Sequence, residues 1–192
     1  MTKKDTMFRE IMTGLAARDE RIQEQVYKYY WGYLMGIATR YIKDRNIARE
    51  IVNDSFMKGF RTMYDFKHGN SLPDFEKTFK AWLATITVRT ALDKIRASKS
   101  LLTYVENYEE STVPEASAEH QLFAQDILKL LHQLPDLHRT VFNLYELEGY
   151  SHDEIARTLA IPSSSSRTYL TRAKQKLREL YNHSTILKDG LS

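Results

Sequence analysis

Apolar residues in "YYWGYLMGIATRYI" recur with the period of a helix: Tyr30, Leu34, Ile37, Ala38, Tyr41 and Ile42 fall on one stripe. Asp44 then stands where a carboxylate can accept the free amides of a new helical turn. Beyond it Ile47, Ala48, Ile51, Val52, Ser55, Phe56 and Phe60 draw a second stripe, so two helices are predicted to meet tightly at Asp44. "YDFKHGNSLPDFEK" follows, with the turn formers Gly-Asn-Ser and Leu-Pro-Asp in its middle, and reads as a loop. Next comes "TFKAWLATITVRTALDKIRASK". Phe79, Leu83, Ile86 and Thr90 share one side of that helix and Val88, Leu92 and Ile95 another, the pattern of a central helix buried from two directions.

From Phe123 the pattern resumes. Phe123, Ile127, Leu130, Leu131 and Leu134 keep helical spacing, Pro135 punctuates, and Gly149 can end "HRTVFNLYELEG" as the residue beyond a helix C-terminus. Ser151 and Glu154 form a capping box, in which the serine oxygen takes the amide three residues on and the glutamate reaches back. Ile155, Ala156 and Leu159 give that helix its apolar face. Pro162 then forces a turn, because it lacks an N–H and disfavours helical geometry at Ile161. The serine run Ser163 to Ser166 is therefore expected to open a helix rather than to act as slack, with Ser163, Ser164 or Ser165 as its cap and Leu170, Ala173 and Leu177 as its buried stripe. No strand-like alternation of useful length appears. The fold class is all-α: two small helical domains joined by an acidic flexible linker, the C-terminal one containing a helix-turn-helix.

Composition locates the division. Between Lys99 and Lys129 the chain has no lysine or arginine, while Glu106, Glu109, Glu110, Glu115, Glu119 and Asp126 fall inside the interval, together with Pro114. Such a stretch cannot bury enough apolar surface to fold alone. The expected domains are residues 1–99 and 121–184, with a linker over 100–120 and a tail over 185–192. The 192 residues carry a formal charge of only +3, so whole-chain charge does not by itself imply a polyanion partner. Its distribution does: from Ile155 to Arg178 there is no acid, and Arg157, Arg167, Arg172, Lys174, Lys176 and Arg178 are all present. A short capped helix, a turn, and a longer basic helix rich in small hydroxyls is the pattern whose second helix enters the DNA major groove.

Other chemistry is thinly represented. There is no cysteine, which removes disulfides, thiolate metal sites and cysteine nucleophiles and fits a reducing compartment. The N-terminus has no apolar core of the kind a secretory signal needs, and no apolar run approaches the about 20 residues that span a bilayer. A cytoplasmic protein without membrane insertion, cofactor or metal is expected. The serines have no legible base beside them and the six histidines are scattered, His132 and His138 reading as surface residues, so an enzyme acting on DNA is disfavoured. A conventional dimeric helix-turn-helix regulator stays open on these residues alone, although the N-terminal bundle shows no effector pocket or dimer heptad.

The motifs "LPDLHRTVF", "EGYSHDEIA", "IP" and "RAKQKL", in that order, resemble the promoter-reading C-terminal domain of sigma-70 superfamily factors of the extracytoplasmic-function (ECF) type. "YLMGIATRYIKDRNIAREIVNDSFMKGF" and "FKAWLATITVRTALDKIRASK" resemble the conserved parts of that family's N-terminal domain, and the likeness covers most of residues 25 to 180. The resemblance implies a non-enzymatic RNA polymerase subunit that directs the core enzyme to promoters, commonly restrained by an anti-sigma partner. Carried over, Glu50, Asn53, Asp54 and Phe56 would dock on the clamp coiled coil of the polymerase core; Glu50, Asn53 and Asp54 share a helix face. Phe66, Lys67, His68 and Asn70, with Arg89, Asp93 and Arg96, would take the minus-10 element of promoter DNA. Trp82, Arg89 and Arg96 lie nearly in line, and Trp82 is expected to be core. Ser163, Ser164, Ser165, Arg167, Thr168, Tyr169, Thr171, Arg172, Lys174 and Lys176 would read the minus-35 element. Val88-Arg89, where the family often has Arg-Asn or Ile-Asn, leaves the minus-10 sequence open, while Ser166, where many members place valine, and Tyr169, where many have arginine or glutamine, point to a shifted minus-35 preference.

Overall fold

The computed structural model describes the backbone of residues 3–67, 71–102 and 119–189, and the side chains of 5–67, 71–97 and 126–182. Every regular element among them is helical. The chain separates into two compact units, residues 1–106 and 107–192.

The first unit holds α1 (Lys3–Ala16), α2 (Arg21–Tyr41), α3 (Arg45–Thr62), a 3-10 turn (Met63–Asp65) and α4 (Leu72–Leu102). α2 and α4 each pack against all three other helices of the unit. The α2 stripe is buried as its spacing requires, from Ile22 through Tyr30, Leu34, Ile37 and Ala38 to Tyr41, and so is that of α3 from Ala48 to Phe56. Asp44 caps α3, accepting from the amides of Asn46 and Ile47 at 2.7 and 3.1 Å. α4 starts earlier than the sequence indicates. Leu-Pro-Asp is its first turn rather than part of a loop, because Pro73 loses no hydrogen bond there and Ser71 Oγ accepts the amide of Asp74.

α1 carries no expectation from the sequence, since charges interrupt its short apolar set. Its Phe8, Ile11 and Leu15 are nevertheless buried, and Phe8 meets Tyr29 and Phe75 edge-on. Around that contact the core is aromatic. Phe79 stacks on Phe75 at 5.2 Å and lies against Tyr30, Phe66 and Trp82. Trp82 is half-buried at the edge of this cluster, as expected of a core-facing residue. Burial pushes the Tyr30 hydroxyl far above the usual phenol range.

The second unit contains α5 (Glu119–His132), α6 (Asp136–Phe142), a π turn (Asn143–Leu147), α7 (His152–Leu159) and α8 (Ser163–Asp189). Leu131, Leu134 and Ala173 form a small cluster extended by Leu128, Phe142 and Leu177; Ile127, predicted on the apolar stripe, is 45% exposed instead. The Leu-Pro corner is tied by Arg139, a buried guanidinium that donates to the Leu134 carbonyl at 3.3 Å and to the Asp136 carboxylate at 2.8 Å. Gly149 adopts φ +74°, and the amide of Tyr150 returns to the Leu144 carbonyl, closing the π turn.

Candidate nucleic-acid interface

α7 and α8 make the helix-turn-helix. The Ser151/Glu154 capping box forms in full, with Ser151 N–H to Glu154 at 2.8 Å and Glu154 N–H to Ser151 Oγ at 3.3 Å. The Ser151 amide, and then its hydroxyl at 2.7 Å, donate to the Glu154 carboxylate and hold it below its usual range. α7 ends at Ala160 in the left-handed region, φ 53°, with the Ile161 amide bonded back to the Ala156 carbonyl. α8 then begins at Ser163 itself, so the expected serine cap is replaced: the residue before the helix is Pro162, and the Ser163 hydroxyl donates to Asp153 of α7 at 2.8 Å. The serines are a helix opening, as their chemistry predicts, but the first of them fastens the two helices together.

On α8 the buried positions are Ser166, Leu170 and Ala173, and the opposite face exposes Ser164, Arg167, Thr168, Thr171, Arg172 and Lys176. Thr168 and Thr171 donate to the carbonyls of Ser164 and Arg167, one turn back, so each presents an acceptor oxygen outward. The outer face thus carries guanidinium forks amid small hydroxyls, a combination that suits phosphates and purine edges.

In the first unit, α3 and α4 are laced by charge. Lys94 of α4 pairs with Glu50 of α3 at 2.9 Å; Lys58 of α3 reaches Thr90 at 3.1 Å and Asp93 at 3.5 Å; Arg96 pairs with Asp93 at 2.7 Å. All of these ionic groups are about half exposed, so each pair orients side chains more than it stabilises the fold. Arg89 is exposed one heptad before Arg96. Phe66 rests on Trp82 with ring centroids 5.0 Å apart, and Lys67 beside it is exposed.

Two family models match the chain: Sigma-70 region 2 over residues 26–100 and Sigma-70, region 4 over residues 124–177. The chain belongs to the sigma-70 family, among its ECF members. It resembles the ECF RNA polymerase sigma factor SigM of Bacillus subtilis, 24% identical over 162 residues that make up 83% of this chain and 94% of the relative. The ECF RNA polymerase sigma-E factor of Haemophilus influenzae is 28% identical over 161 residues, 77% of this chain and 81% of the relative. The fold is that of the sigma factor RpoE of Bartonella quintana, solved in complex with the anti-sigma factor NepR, with a TM-score of 0.53, 22% identity, and coverage of 83% of this chain and 96% of the other. As a sigma factor, the protein directs core RNA polymerase to promoters and starts transcription there.

Several residues expected at the sigma factor's interfaces have other work. Phe56 is 1% exposed and packs on Tyr27 and Phe60, so it belongs to the core and not to a docking face; the same apolar spacing that marked the stripe required this. Glu50, Asn53 and Asp54 do share the exposed face of α3, where Asn53 accepts from the Tyr27 hydroxyl at 3.2 Å. Lys174 is half-buried, ion-paired with Glu146 at 2.7 Å, which takes its charge away from the outer face of α8. Tyr169 lies against His138 at 5.1 Å; neither is a simple surface residue. His68 and Asn70 fall outside the described residues. The sequence reading passed over His152 and Asp153, which pair with Ser166 and Ser163 to fix α7 against α8, because residues ten to fourteen positions apart carry no periodic signal.

Proposed function

We propose that the two units divide promoter recognition: α8 reads the minus-35 element, and α4 with the Phe66 loop takes the minus-10 element. The observation that carries this reading is the outer face of α8, where Arg167, Thr168, Thr171 and Arg172 stand exposed on a helix whose preceding turn is held by hydrogen bonds. Arginine forks on such a face can pair bidentately with guanine. Arg89, Arg96 and Lys67 supply the cationic groups of the minus-10 surface, and Phe66 and Trp82 its aromatic edge. Glu50, Asn53 and Asp54 dock on the clamp coiled coil of core polymerase. The factor works in the cytoplasm without chemical catalysis, and an anti-sigma protein restrains it, a proposal supported by the relative solved with such a partner. Among the described residues no helix is long and apolar enough to cross a membrane.

The test is transcription in vitro by bacterial core polymerase on a pool of promoter-sized fragments, with and without the protein. Initiation that depends on the protein, at fragments sharing two spaced elements, is the expected result; tight duplex binding with no initiation would return the chain to a conventional regulator. Arg172→Ala should weaken promoter binding and lower the salt slope by about one. Asp54→Ala should reduce co-purification with core polymerase while leaving DNA binding intact.

A further inference from the structure

Ser166 faces inward. It is completely buried, so the serine that stands where the family often has valine touches no base, and its influence on promoter choice has to pass through another residue. That residue is His152, the first of α7, whose Nδ1 lies 2.9 Å from Ser166 Oγ. The imidazole is itself clamped, stacked on Tyr145 of the π turn at 4.5 Å with 23° between the ring planes. Lys174, one turn past Leu170 on α8, pairs with Glu146 next to Tyr145, so the π turn grips α8 a second time. Burial, and then the charge of Arg167, hold His152 toward its neutral form, in which Nδ1 is an acceptor or a donor to a hydroxyl according to tautomer.

Two attachments two turns apart define both the rotation of a helix about its axis and its tilt. Base readout tolerates little error in either, since productive geometry is kept within about 0.5 Å and hydrogen bonds weaken steeply off line. We propose that His152 is a positioning residue for minus-35 recognition: its hydrogen bond to Ser166, braced by Tyr145, sets which base edges Arg167, Thr168, Thr171 and Arg172 meet. This rests on α8 being the minus-35 reader. A valine at position 166 would fill the space and leave the imidazole nitrogen without its partner.

The measurement is the ratio of holoenzyme affinities for a duplex bearing the preferred minus-35 element and one in which that element is scrambled. It is made at a temperature where circular dichroism shows every variant folded. Ser166→Val and His152→Phe should each lower the ratio about fivefold, the worth of one net hydrogen bond, and the double variant should fall no further than the worse single one. A merely structural pair would lower the melting temperature and leave the ratio alone. If the variants do not fold, 15N resonances of His152 in the wild-type chain decide: they should move with the preferred duplex and stay put with the scrambled one. Equal ratios in wild type and variants, multiplying single effects, or an equal imidazole response to both duplexes overturns the role of His152 while the α8 reading stands. A wild-type holoenzyme that cannot tell the two duplexes apart overturns both.

Discussion

The two units of this sigma factor solve the same problem with different materials. The first is held by large rings: Phe8, Tyr30, Phe75 and Phe79 are 2% exposed or less and touch one another across α1, α2 and α4. The second has a modest apolar cluster and invests in polar fasteners, a buried guanidinium at the Leu-Pro corner, a capping box, and the Asp153–Ser163 and His152–Ser166 contacts across the turn. Ring packing is non-directional and forgiving of angle, which suits a platform; hydrogen bonds fail outside a narrow geometry, which suits a helix that must meet bases in one orientation. The difference teaches that reading duplex DNA through α8 is a matter of angle more than of core size.

Five predictions would break or sharpen this contrast. Phe79→Ala should cost about 3–5 kcal/mol and act on the first unit alone. Both tryptophans, Trp31 and Trp82, lie in that unit, so their fluorescence in a denaturant titration follows it selectively. Gly14→Ala should cost about 1–3 kcal/mol by the same readout, because the new Cβ would stand 2.0 Å from Cγ1 of the buried Ile22. An unchanged tryptophan transition in either variant would contradict ring and helix packing as the source of that unit's stability.

The caps compare the units directly. Ser151→Ala and Asp44→Ala should each cost about 1 kcal/mol, but only the first should disturb minus-35 binding. Ala160→Gly should add about 1 kcal/mol by relieving a left-handed alanine, seen as a raised melting temperature of the second unit. The smallest effect is that of pH. His138, through burial and the charge of Arg172, and His152, through burial and the charge of Arg167, sit below the ordinary imidazole value of about 6.5. The unfolded chain therefore binds protons first on acidification. Their contribution is complete above that value and is lost as pH falls through the lower folded values, so circular dichroism melts should weaken between pH 7 and 5 while the tryptophan transition holds. Equal weakening in both would assign the effect elsewhere.

Much of the architecture could be read from spacing. The stripes of α2 and α3, the Asp44 cap, the Ser151 box, the Gly149 turn and the break at Pro162 are local statements, each made by residues within a turn or two of one another. Errors came where one local rule masked another. Leu-Pro-Asp has turn composition yet opens α4, since proline is as welcome in a first helical turn as in a loop. Phe8, Ile11 and Leu15 were lost among charges, and the π turn has no periodic signature of its own. Phe56 carried two roles in the reading, and burial allows it one.

By itself the sequence determined the helical class, the family motifs and the basic, acid-free run that includes the N-terminal part of α8, because periodicity, capping and charge are properties of neighbouring residues. Only the tertiary structure decided that Lys174 serves Glu146, that Asp93 of α4 answers Lys58 of α3, and that Ser166 turns inward to His152. Those pairings join separate helices, and the partner of a side chain across a helix interface is set by how the apolar faces dock, which no single stretch of the chain encodes.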